Sequence, residues 1–129
     1  MIHKLAGTYR LVALEAIRPN GETTTGWLGP KPTGLIVYDP AGNMSVQIMQ
    51  GPRDTPQQND YYAYFGKYEI DEETHTIVHH VQGSLYPDEV GMAFRQSFTL
   101  LEDRLILTTA KHLVDGEERS NRLTWERLK

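Results

Sequence analysis

A chain of 129 residues is the size of one domain and long enough to bury a core without covalent staples. Thirteen Lys and Arg against 17 Asp and Glu leave a formal net charge of -4 with no basic run, which disfavours a nucleic-acid partner. With no cysteine, disulfides and Cys-based zinc or iron–sulfur sites are excluded, and no apolar run approaches the ~18 residues of a membrane span.

The opening MIHKLAGTYR lacks the apolar stretch of a secretory leader, so a soluble, cytoplasmic protein is expected, with one domain over 1–129. Turn signals then recur roughly every 8–12 residues, the spacing of an antiparallel sandwich or barrel. Asn20-Gly21 marks a two-residue hairpin turn. DPAGN (39–43) separates the apolar run Gly34–Tyr38 from the alternating Met44–Met49, and DEETH (71–75) separates Tyr64–Ile70 from Thr76–Leu85. LEDR (101–104) and DGEE (115–118) do the same near the end. Strands are expected near 7–17, 22–28, 34–39, 43–49, 62–70, 75–85, 92–101, 104–110 and 119–128. No long window has a helical period; 3–6 or 52–62 has room for one turn of helix. Short connections imply an up-and-down order, and closing such a sheet removes its edges. The expected fold is all-β, an up-and-down antiparallel barrel of about 8–10 strands, wide enough for side chains or one small ligand.

Several stretches resemble the bacterial and fungal lipocalin-like domain family: LAGTYRLVALE, GLIVYDPAGNMSVQIM, YFGKYEIDEETHTIVHHVQGSL, DRLILTT and LTWERL, in order over almost the whole chain. The resemblance implies a calycin-type barrel with an internal cavity. In relatives of similar architecture it implies binding of small hydrophobic molecules, or cyclase and isomerase activity on polyketide-like or terpenoid substrates. Two features depart from the pattern. The first strand carries Gly7-Thr8-Tyr9 in place of Gly-x-Trp, so its packing against Arg127 at the chain's end is not carried over. The segment QGPRDTPQQNDY is short, which puts a lid over the barrel mouth in question.

Strand alternation sorts the candidate site residues. In Thr76–Leu85 the more apolar face is Ile77, His79, Val81, Gly83 and Leu85, so His79 should point inward and His80 outward, unless a bulge near Gly83 exchanges them. His75 falls beside a turn, so the three histidines do not form a metal set, and no metal or cofactor is expected. Tyr62, Tyr64, Tyr68 and Ile70 share an inward face, as do Phe94, Gln96, Phe98 and Leu100. Gln47 falls outside if the apolar face of Met44–Met49 packs inward and stays a candidate if a ligand cavity reverses that face. Arg95 falls on an outward face, Trp27 and Leu28 on a rim strand, and the acids of Tyr86-Pro87-Asp88-Glu89 in a solvated loop. The ligand-binding set is therefore His79, Tyr64, Tyr68, Gln96, Phe98 and Trp27, around a small hydrophobic molecule. A cofactor-independent cyclase, isomerase or hydratase with His79 as acid or base is the alternative. A filled barrel serving as an interaction module is a third reading, and a homodimer stays open.

Overall fold

In the computed structural model, which describes residues 4–51, 60–114 and 116–128, ten antiparallel strands form one sheet that closes on itself. They are β1 (Gly7–Ile17), β2 (Thr23–Thr25), β3 (Pro32–Tyr38), β4 (Asn43–Gln50), β5 (Tyr61–Asp71), β6 (Thr76–Ser84), β7 (Ala93–Leu101), β8 (Arg104–Thr109), β9 (His112–Val114) and β10 (Glu117–Arg127). Pairing of β1 with β10 completes the barrel. Eight strands make the wall; β2 and β9 are three-residue additions, to β1 and β10 respectively. Among the described residues the closure leaves no long edge unpaired.

The expected strands are present, with three corrections. Only Thr23–Thr25 of the predicted 22–28 strand pairs; Trp27 and Leu28 lie in a turn closed by Gly29 N–H on the Gly26 carbonyl, 3.1 Å. β9 was not expected, because three residues are too few for alternation to show. At Asn20-Gly21 the loop holds three residues, 19–21, inside the Arg18–Glu22 pair, with Gly21 at φ 87° in the left-handed region that closes such loops. The helical turn and the lid considered for the segment before Tyr62 fall largely on residues outside those described; Tyr61 and Tyr62 are strand.

The hairpins β3–β4, β5–β6 and β7–β8 turn at one end of the barrel, where β1 begins and β10 ends, and that end is sealed. Tyr9 and Tyr38 are fully buried there. The Arg127 guanidinium lies 4.8 Å over the Tyr9 ring and donates to the carbonyls of Ala6 (2.7 Å) and Lys4 (2.6 Å). The aromatic–arginine contact is thus kept with tyrosine in the aromatic position, against the sequence expectation. The tyrosine hydroxyl adds a bond of its own, 2.6 Å to the Leu5 carbonyl. Inward residues of β1, β3, β4, β8 and β10, among them Leu11, Ile36, Val46, Leu107 and Leu123, form one continuous core.

Candidate functional site: a cavity around a buried histidine

Above the sealed end the lumen opens into a cavity of about 560 Å³. Its wall is mostly apolar, with Ile48, Phe94, Leu107 and Leu123 among the lining residues, and exposed Trp27 and His112 stand at its mouth.

Alternation along β6 delivers His79 to the lumen. Ile77, His79 and Val81 are buried while His80 turns outward, its Nε2 3.2 Å from the Glu69 carboxylate. A bulge does interrupt this strand, but beyond His79. Phe65 pairs with Gly83 and Gly66 with Val81, leaving Gln82 as the extra residue. His79 therefore keeps its inward face. The two residues after the bulge exchange theirs: Ser84, opposite Tyr64, shares the inner face, and Gly83 faces out against the Phe65 ring.

His79 is 1% exposed and holds three polar neighbours. Its Nε2 is 2.6 Å from the Tyr38 hydroxyl, its Nδ1 2.6 Å from the Tyr64 hydroxyl and 3.1 Å from the Gln96 side-chain amide. Burial, with a smaller contribution from the neighbouring His80, pushes the imidazole pKa down to about 3, so the ring is neutral near neutral pH. Burial raises both phenols as well, so Tyr38 and Tyr64 stay protonated.

Proton accounting selects a tautomer. Tyr38 is fully buried, and among the described residues its hydroxyl has one hydrogen-bond partner, His79 Nε2. Its proton is satisfied only if Nε2 carries the lone pair, which places the imidazole proton on Nδ1. The other tautomer strands a phenolic proton in the core, a cost of about 1–3 kcal/mol. With Nδ1 protonated, the Tyr64 oxygen accepts from it, and the Gln96 amide turns its oxygen rather than its nitrogen toward the ring, an orientation the hydrogen-bond network decides.

A neutral buried histidine makes stability depend on pH. Its folded pKa, about 3, lies below the ~6.5 of a free imidazole, so between those values the unfolded chain binds the extra proton. The contribution is complete above about pH 6.5 and is lost as pH falls toward the folded value. Urea denaturation at about pH 8 and about pH 5 should show a loss of about 2 kcal/mol that His79→Gln lacks. Equal pH dependence in the two proteins would contradict a neutral, buried His79.

At the mouth, a single 3-10 turn (Pro87–Glu89) brings in an acid. The Glu89 carboxylate lines the cavity and accepts from Tyr62 (2.8 and 2.9 Å) and from Ser84 Oγ (2.6 Å). Glu89 was expected in a solvated loop; it is half-buried and held by two hydroxyls.

The lipocalin-like domain family matches residues 6–128, nearly the whole chain. The chain belongs to that family. No curated protein and no solved structure is detectably similar to it. Of the residues proposed for the cavity of this lipocalin-like barrel, His79, Tyr64, Gln96 and Trp27 line it. Tyr68 and Phe98 do not border it. Tyr68 is paired directly opposite His79, yet its hydroxyl donates to the Asp39 carbonyl at 2.6 Å. Phe98 is core, its ring 5.8 Å from that of His75, which occupies the expected turn at φ 52°. Gln47 lies on the outer face, donating to Ser45 Oγ at 3.3 Å. Among the described residues no three His, Asp or Glu side chains converge as metal ligands.

Sequence reasoning missed Tyr38, Glu89, Ser84 and Trp125. Tyr38 had a signal, since Ile36 and Tyr38 share the buried face of β3. Ser84 had only Gly83 beside it, the residue at which the sequence allowed for a bulge. Trp125 is fully buried in the cavity wall, and its indole N–H has no hydrogen-bond partner among the described residues.

Proposed function

We propose that the barrel binds one small, largely apolar molecule, oriented by Tyr64, Gln96 and His79. The observation that carries this reading is the cavity itself: about 560 Å³, closed at one end, apolar-walled, with an uncharged polar cluster set into the wall. Ligand pockets of roughly 300–1,000 Å³ with a few convergent polar groups have this character. The cysteine-free chain fits a reducing compartment, and we assign it to the cytoplasm on that ground.

The chemistry of His79 favours binding over acid–base turnover. A general acid must hold a proton at working pH, and an imidazole pushed down to about 3 does not. As a base it is weak, and its lone pair is occupied by Tyr38. Its role is to fix the Tyr64 hydroxyl.

Native mass spectrometry of gently purified protein, followed by thermal shift against a panel of neutral lipophiles, tests the reading. A co-purified small molecule or a saturable rise in Tm is expected. A ligand-free spectrum together with no shift across the panel would refute it.

A further inference from the structure

The polar groups of the cavity wall divide by kind as well as by place. At the inner end they are hydrogen-bond donors. In the tautomer that satisfies Tyr38, the Tyr64 oxygen is occupied by His79 Nδ1–H, and the Tyr64 proton is left to bond either the Gln96 oxygen or a ligand. If Gln96 takes it, the Gln96 NH2 group is the one left over. The network therefore ends, in both arrangements, on an unspent donor at the wall. Trp125 supplies a second, a buried indole N–H that can only donate and has no partner among the described residues.

At the mouth the wall carries negative charge. Glu89 is fixed there by Tyr62 and Ser84. Among the described residues the cation of the wall is Arg95, on β7 next to inward-facing Gln96 and at the outward parity, bordering an outer groove lined by Glu69, Asp71, Glu72 and Glu73. A carboxylate ligand would find neutral groups at its buried end and a like charge at the mouth. A hydrocarbon would leave both inner donors unpaired.

Resting on the binding role proposed above, we infer that the cavity selects uncharged apolar molecules bearing a carbonyl-type oxygen, as in ketones, quinones and lactones, over carboxylates and hydrocarbons of the same frame. Its oxygen accepts from the Tyr64–Gln96 donor, from Trp125 Nε1–H, or from both.

Three molecules sharing one rigid tricyclic frame isolate the difference: fluorenone, fluorene and fluorene carboxylate, titrated calorimetrically into the intact protein. Fluorenone should bind about tenfold or more tighter than either of the others. Tyr64→Phe and Trp125→Phe, measured separately, each remove a donor; the first takes little volume with it, the second part of a ring, and fluorene affinity reports any effect of that space. At least one should cut the fluorenone advantage to about threefold or less while fluorene affinity stays within about twofold. Carboxylate or hydrocarbon binding as tightly as the ketone overturns the selectivity and leaves the binding role standing. A ketone preference untouched in both variants overturns the assignment to these donors. If none of the three binds, this inference fails, while the binding role is decided by the wider panel above.

Discussion

Replacing His79 with alanine should lower the unfolding free energy by about 3–5 kcal/mol. Part of that is the volume lost from a position only 1% exposed. The rest comes from hydroxyls left without partners, and they are not equivalent. Tyr64 borders the cavity and keeps the Gln96 side chain as a second partner. Tyr38 does not border it, and among the described residues its hydroxyl bonds nothing but the imidazole. Tyr38→Phe should therefore cost about 1 kcal/mol in the native background and be neutral or stabilising beside His79→Ala, because it removes the orphaned group. A urea-denaturation double-mutant cycle reads the difference. An equal cost for Tyr38→Phe in both backgrounds would show that the Tyr38–His79 bond does not couple the two sites.

A second large loss, about 3 kcal/mol or more, is expected for Gly66→Ala. Gly66 sits on the inner face of β5 beside the bulge, and a methyl group there would overlap the carbonyl oxygen of His80. That obstacle is backbone, so no rotamer change relieves it. Gly83 is the useful contrast. The nearest atoms a methyl there would meet all belong to the ring of Phe65, which is half exposed and free to swing away, so Gly83→Ala should cost well under half as much. Equal losses at the two glycines would mean that the bulge tolerates displacement, and with it the placing of Ser84.

Local alternation made most of the wall legible in the sequence. Met44, Val46 and Ile48 face in, as do Tyr64 and Gly66, and His79 separates from His80, because consecutive strand residues must take opposite faces. What stayed hidden depends on partners that alternation does not name. The bulge at Gln82 is a property of the β5–β6 pairing, so alternation put Gly83 on the inner face and Ser84 was missed. The Tyr38–His79 bond joins β3 to β6, which are not neighbours in the sheet, and such a contact is fixed by the curvature of the closed barrel. Tyr68 shows the converse. It has the right face and lies directly across from His79, yet it sits too close to the sealed end and bonds the β3–β4 turn instead. Glu89 lies outside any strand, where face periodicity says nothing. At the closing contact, tyrosine for tryptophan left Arg127 its ring to cover.

A small apolar molecule is expected to occupy the lumen beside His79. Isotope-filtered NMR of the protein with whichever neutral lipophile gives the largest thermal shift tests it most directly. Intermolecular NOEs to Ile48, Phe94 and Leu107 of the cavity wall are expected, with a shift change at the His79 ring nitrogens. NOEs confined to exposed outer residues such as Phe65 and Leu101, with His79 unmoved, would contradict it.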